Sequence, residues 1–251
     1  MERNETFDLC AVQYDRARPG YPDWIRDLIN EYVSPGPGKK LIEIGCGTGK
    51  ATELFASSGA SIECVDIGTN LIAIAKKKFA AFPNVTFTHS HFEELARQPA
   101  SCDLIFSAAA YHWIKQPAGN LKVRELLKKD GRFALIGHHH IGLDEGFFLE
   151  SQPIYRSAGI ERKTDGSNPL EKLRHIDPAY FKILCKKSAQ WEKRCTADEY
   201  IDLLFTFSDH ISMREECKDR FKKDIKELIN SGYGGVVVKK YETRVEIGEK
   251  L

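Results

Sequence analysis

The feature that most constrains this chain is a short apolar segment, Lys40–Gly45, that runs into glycines at positions 45, 47 and 49. The stretch after it, Thr48–Ser57, reads as a helix with Leu54 and Phe55 on its buried side. Glycines at a strand end permit positive φ and let a ligand approach the backbone. A helix that follows presents free N–H groups to that ligand. Asp66 stands 21 residues after Gly45, at the end of the strand-like run Ser61–Asp66. An acid there can accept hydrogen bonds from both hydroxyls of an adenosine ribose. Strand, glycines, helix and distal acid in register predict a nucleoside-cofactor site. The alternative is a structural turn with an exposed Asp.

The same alternation continues. Asn70–Phe82 is amphipathic, with Leu71, Ile74, Ala75 and Phe79 at helical spacing, and Pro83–Asn84 breaks it. Val85–Ser90 and Cys102–Ala110 read as third and fourth strands, Gly119–Lys129 as a helix, Asp130–Gly131 as a turn and Arg132–Gly137 as a fifth strand. Pro22–Val33 reads as a preceding helix. Strand–helix alternation with short turns implies a parallel sheet with helices on both faces. Beyond residue 140 the pattern changes. Gly146–Ser157, Ala197–Phe207 and Arg214–Ile229 read as helices, and Lys182–Cys195 and Gly235–Ile247 as extended.

Composition narrows the function classes. The chain has 251 residues, 42% apolar and 29% charged, a globular profile with room for a sizeable core. Its 37 basic and 36 acidic residues leave no basic surplus of the kind that marks nucleic-acid binding. Residues 161–251 hold 19 basic and 17 acidic residues, again nearly balanced. The apolar run Leu104–Ile114 is too short to span a bilayer, and MERNETFDLC has no apolar signal stretch. Seven cysteines without a C-x-x-C pair fit reduced structural thiols in a cytoplasmic protein. No ligand cluster points to a metal.

The loop also discriminates between cofactors. A dinucleotide fingerprint is G-x-G-x-x-G, but Lys50 stands where the third glycine belongs. Glu43, two residues before the first glycine, can organise the loop and attract a cationic amino group, which a pyrophosphate lacks. Both departures favour a cationic adenosyl ligand over NAD. Glu43-Ile44-Gly45-Cys46-Gly47-Thr48-Gly49-Lys50 with Asp66 resembles motif I and the acidic loop of class I S-adenosylmethionine-dependent methyltransferases, and within them the small-molecule methyltransferase type 11 group. Tyr14-Asp15-Arg16-Ala17-Arg18-Pro19-Gly20-Tyr21-Pro22 is similar to that group's N-terminal signature. Ser107-Ala108-Ala109-Ala110-Tyr111-His112-Trp113 resembles its "SAxAFHW" motif, and Leu127-Lys128-Lys129-Asp130-Gly131-Arg132 its "LLKPGGR" turn. The likeness is strongest over residues 10–140.

The resemblance implies a site. Gly45, Cys46 and Gly47 lie under the methionine part of S-adenosylmethionine, with Glu43 near its amino group. Asp66 holds the ribose hydroxyls and Ile67 packs on adenine. The group's usual Asp after strand three is His91 here, leaving the Phe92 backbone N–H to meet adenine. Ser107 and Ala108 flank the sulfonium, and Tyr14 and Arg18 close the cleft. Tyr111, His112 and Trp113 follow the fourth strand, where the reacting centre belongs. His112 is a candidate base or orienting group and Tyr111 a second catalytic candidate, with wall roles as the alternative for both. Trp113, His138 and His140 are candidate substrate contacts.

The expected architecture is α/β: a Rossmann-like class I methyltransferase fold with a seven-stranded, mostly parallel sheet. Residues 1–140 carry the N-terminal arm and cofactor core. Residues 141–251 belong to the same domain and add a helical substrate cover, in 141–181 and 196–234, plus the last two strands, one of them antiparallel. The expected activity is methyl transfer to a small molecule by a monomer or homodimer, without nucleic-acid or membrane partners. A tRNA or protein methyltransferase, a NAD-dependent oxidoreductase and a non-catalytic cofactor-binding protein are the competing readings.

Overall fold

The computed structural model describes residues 6–160 and 175–251. Seven strands form one sheet: β1 (Lys40–Ile44), β2 (Ser61–Asp66), β3 (Val85–His89), β4 (Cys102–Ala108), β5 (Leu127–Ile141), β6 (Phe181–Thr196) and β7 (Val236–Lys250). Their order is β3-β2-β1-β4-β5-β7-β6. Parallel pairings join β3 to β2, β2 to β1, β1 to β4 and β4 to β5. β1 and β4 are buried along nearly their whole length. That is why they read as unbroken apolar runs, as strands covered on both faces must. β6 and β7 fall on the two segments expected to be extended.

The residues divide into two units, each drawing on separated parts of the chain. Among the described residues a core unit takes 19–137, 175–188 and 244–251, and a second unit takes 6–18, 138–160 and 189–243. In the core unit the helix Thr69–Lys78 buries Leu71, Ile72 and Ala75, and Ala118–Leu126 buries Val123 and Leu126. Leu41, Ile62, Leu104, Phe106 and Ala134 share one apolar cluster with Val245 and Ile247 of the last strand.

Two expectations fail in this unit. Thr48–Ser57 is not an α-helix but a turn followed by two short 3-10 segments, Thr52–Leu54 and Ala56–Ser58. Thr52 and Phe55 are both buried: the Thr52 hydroxyl bonds the Glu43 carboxylate and the Phe55 ring meets Phe106 at 5.2 Å. Side chains three apart line up in a 3-10 turn, so these two inward anchors favour it over an α-turn. The turn expected at Asp130–Gly131 is instead a bulge inside β5. Cys102 pairs with Leu127 but Leu104 pairs with Arg132, so five residues of β5 pass two of β4. The helix before it consequently ends at Leu126, not Lys129.

The second unit packs around Phe147, Tyr155, Tyr200, Phe221, Ile225 and Ile229. The helix Ala197–Leu204 begins in a capping box in which Thr196 and Glu199 satisfy each other's backbone N–H groups. Glu215–Gly232 buries Phe221, Ile225 and Ile229, an i, i+4, i+8 stripe. Gly146–Ser157 is two helices, Gly146–Glu150 and Gln152–Ser157, because Pro153 offers no N–H to continue the first. Part of the expected helical stretch, 161–174, lies outside the described residues.

Candidate functional site

β1 runs between β2 and β4 in parallel register, with Ile44 level with Val65 on one side and Ser107 on the other. The chain therefore leaves β1 towards one neighbour and β4 towards the other. The carboxyl ends of all three strands adjoin at this switch point, which is where open α/β sheets bind ligands.

The glycine loop is held from both sides. Gly45 and Cys46 donate their N–H groups to the Val65 carbonyl at 2.8 and 3.2 Å. Gly47 N–H donates to Asp66 Oδ2 at 2.7 Å, and Gly68 N–H donates to Asp66 Oδ1 at 2.8 Å. Gly45 has φ +66°, and a Cβ there would stand 2.3 Å from the Ala110 Cβ. Only glycine lets the loop pass so close to the chain leaving β4. Cys46 is buried, a small spacer whose Sγ lies 3.7 Å from the Gly47 carbonyl. The fully buried Thr48 hydroxyl has no hydrogen-bond partner among the described residues.

Glu43 lies beneath this loop and is 1% exposed. Burial pushes its carboxyl up to about 8, against the opposing bond from Thr52 (2.5 Å) and with a further upward push from Asp66. Near neutral pH it is largely uncharged. Its visible work is to tie the loop to Thr52, not to present an anion.

The remaining core-unit candidates gather around the same edge. The Ile67 carbonyl meets His89 Nε2 at 2.8 Å, which anchors the segment after β2. His91 is exposed, and the Phe92 ring is buried in the core, so only the Phe92 backbone is available to a ligand. The Ser107 hydroxyl donates to the Ile44 carbonyl at 2.8 Å. Ala109 adopts φ +54°, unusual for a residue with a Cβ, as the chain turns into Tyr111–Trp113. The Tyr111 hydroxyl donates to Asn120 Oδ1 at 2.7 Å, and burial raises its pKa well above the ordinary range. The Tyr111 side chain is buried in an apolar cluster with Ile105, Val123 and Phe133. His112 is half-buried, its ring 4.8 Å from that of Trp113. Sequence reasoning missed Thr52, His89, Ala110 and Glu93. Glu93 accepts the Lys115 N–H at 2.8 Å through Oε1, while its buried Oε2 has no partner among the described residues.

Tyr14, Arg18, His138 and His140 belong to the second unit. Arg18 donates through Nε to the Thr206 hydroxyl at 2.7 Å and through a terminal nitrogen to the Thr206 carbonyl at 2.8 Å. Its guanidinium lies 3.9 Å from the Phe207 ring centre and 5.2 Å from that of Tyr14. His138 Nδ1 is 2.7 Å from the Thr243 hydroxyl, and the His140 ring is 4.9 Å from Tyr241. Among the described residues no three His, Cys, Asp or Glu side chains gather as a metal site.

The core-unit donor set distinguishes between ligands. A pyrophosphate needs free loop N–H groups, yet those of Gly45, Cys46 and Gly47 are already donated to protein acceptors. Asp66 sets a carboxylate at the edge of the loop, the acceptor type that suits the hydroxyls of a ribose. Residues 42–135 match the family model described as a methyltransferase domain. The chain is an S-adenosylmethionine-dependent methyltransferase.

S-adenosylmethionine is the cofactor of this methyltransferase, and its fold is the Rossmann-like class I methyltransferase fold. An uncharacterized methyltransferase of Schizosaccharomyces pombe is 26% identical over 231 residues, covering 90% of this chain and 88% of the relative. A malonyl-[acyl-carrier protein] O-methyltransferase of Halalkalibacterium halodurans is 25% identical, over 65% of this methyltransferase and 63% of the relative. The solved structure of a proposed type II methyltransferase from Anaeromyxobacter dehalogenans superposes with a TM-score of 0.68 at 19% identity, covering 92% of this chain and 97% of that one.

Proposed function

We propose that this methyltransferase acts on a small-molecule acceptor. In this reading Gly45, Cys46, Gly47, Asp66, Ile67, Phe92, Ser107 and Ala108 hold the cofactor, Glu43 anchors the loop beneath it, and His112 and Trp113 face the acceptor. The observation that carries the cofactor assignment is Asp66, whose two oxygens span Gly47 and Gly68 at the carboxyl end of β2. When bound, S-adenosylmethionine supplies an electrophilic methyl group on a sulfonium. The protein's part is to align and to exclude water, and much of the rate comes from that positioning. Asp66 fixes the ribose, Ile67 lies against the base, and the backbone after β4 borders the reacting atom. His112 orients the acceptor or takes its proton.

A small acceptor is supported by the charge balance, since residues 161–251 carry only two more basic than acidic groups. The bacterial relative's name gives a malonyl group on a carrier protein as its acceptor, which is compatible with an acid of modest size. The seven cysteines are all free, which supports a reducing, cytoplasmic setting. Among the described residues no helix is long and apolar enough to cross a membrane.

Two substitutions test the assignment. Asp66→Ala is expected to weaken S-adenosylmethionine binding at least tenfold by calorimetry, since it removes the ribose acceptor; unchanged affinity overturns the assignment. His112→Ala is expected to lower turnover much more than cofactor affinity. Wild-type values for both leave His112 as wall.

A further inference from the structure

We propose that Glu93 is a positioning residue that braces the turn carrying His112 against the segment that meets the cofactor's base. This rests on Phe92 and His112 acting as proposed for methyl transfer. Glu93 lies in the 3-10 turn Phe92–Glu94, after β3. Its Oε1 accepts the backbone N–H of Lys115 at 2.8 Å. Lys115 stands two residues beyond the turn Tyr111–Trp113 that follows β4. β3 and β4 are not neighbours in the sheet, because β2 and β1 lie between them. The bond therefore links the two ends of the row of strand ends that carries Asp66 and the glycine loop. Strands that far apart share no ladder bonds, so only connections such as this one fix the spacing of their loops.

The His112 turn is held at both ends. Tyr111 is fixed from the helix that follows, its hydroxyl donating to Asn120 Oδ1 at 2.7 Å. At the other end Lys115 is exposed, so its N–H has water as the alternative to Glu93. Between these anchors stand His112 and Trp113, their rings 4.8 Å apart. Phe92 and Tyr111 are buried in one apolar cluster with Val123 and Leu126, so the two turns also share a packed floor. Stability alone does not account for a carboxylate at position 93. Glu93 Oε2 is buried without a partner among the described residues, and so is Nε2 of Gln116, the residue after Lys115. Buried polar groups left unpaired cost free energy, and natural chains keep them where function asks for a fixed geometry. Methyl transfer asks for it: a displacement of about 1 Å in an orienting group can cost about 100-fold in rate.

The full chain is tested in a Trp24→Phe, Trp191→Phe background, where Trp113 is the sole tryptophan. Glu93→Ala removes the acceptor, whereas Glu93→Gln keeps an oxygen that can accept the Lys115 N–H. In Glu93→Ala the Lys115 amide is expected to exchange with deuterium about tenfold faster and acrylamide to quench Trp113 about twice as steeply. S-adenosylhomocysteine is expected to bind it about threefold more weakly by calorimetry. Glu93→Gln is expected to restore all three. A merely structural Glu93 would lower the unfolding midpoint and leave Trp113 quenching and affinity at the parent values, and that result overturns the proposal. So does a Glu93→Gln protein that loses as much as Glu93→Ala. Should Glu93→Ala not fold, the parent still decides, since an unprotected Lys115 amide there overturns the brace. A parent with a protected Lys115 amide that does not bind S-adenosylhomocysteine is a distinct result: it sinks the cofactor assignment, and with it the role in methyl transfer, while the brace itself stands.

Discussion

Glu43 shows how a single residue can look like a ligand contact in the sequence and act as a loop anchor in the fold. Its carboxyl is raised from 4.5 to about 8, chiefly by burial. Below the unfolded value both states are protonated and no penalty arises. As pH rises through the window from 4.5 to about 8, the unfolded chain ionises and the folded chain does not, so stability falls across it. Glu43→Gln stays neutral in both states and can still accept the Thr52 bond. Relative to wild type it is expected to gain on the order of 1–3 kcal/mol between the acid and alkaline ends of that window, read from urea unfolding at several pH values. A constant difference between the two proteins across the window would contradict a buried, uncharged Glu43. The sequence placed Glu43 beside the glycines. It could not show that Thr52, nine residues on, turns inward to meet it.

At the scale of elements, Asp103 at the start of β4 ties three strands together. Its Oδ2 accepts the backbone N–H of Lys40 at 3.0 Å and the Lys128 ammonium at 2.7 Å, and its Oδ1 accepts Lys39 at 3.0 Å. Burial alone would raise its pKa, but the bonds from Lys128, the Lys40 N–H and Lys39 hold it below 3.8. That contribution is present above the unfolded value and is lost as pH falls through the lower folded one. The two lysines are partly exposed, so screening limits the ion pairs. Asp103→Asn is expected to cost about 1–2 kcal/mol in denaturant unfolding and to reduce the loss of stability on acidification. An unchanged midpoint at neutral pH would assign these bonds no net stabilisation. The strands were legible because buried parallel strands are continuous apolar runs. The bulge in β5 was read as a turn because Asp130–Gly131 has turn chemistry, and only pairing with β4 shows the strand resuming. Thr48–Ser57 has helical composition, yet the anchors Thr52 and Phe55 impose a tighter turn. The glycines and Asp66 were legible for a related reason: backbone conformation and a fixed offset leave a local mark. Contacts such as Gly45 with Ala110, or His89 with Ile67, join distant positions and leave none.

For the whole molecule, the division into units crosses the chain inside three strands, between Gly137 and His138 in β5, Ser188 and Ala189 in β6, and Thr243 and Arg244 in β7. A fragment covering 19–137 keeps the glycine loop, Asp66 and His112 but loses β6 and β7. It also loses Val245 and Ile247, which are almost fully buried in the core cluster. Its sheet would end on an open β5 edge. The fragment is expected to bind a hydrophobic dye and to unfold without a cooperative transition, although it contains the entire stretch matched as a methyltransferase domain. A sharp thermal transition in the fragment would show that the core unit is self-sufficient without its last strands. The sequence revealed which segments are strands. The return of the final strand to a cluster built by residues 25–136 is a matter of topology, to which no local pattern points.

Asp66 has one more consequence. Because its carboxylate already joins Gly47 and Gly68, the shape of the glycine loop is written into the folded chain before any ligand arrives. A ligand that settles against it meets a mould, not a rope. The entropy of ordering that loop belongs to folding, so association there calls for little rearrangement of the backbone.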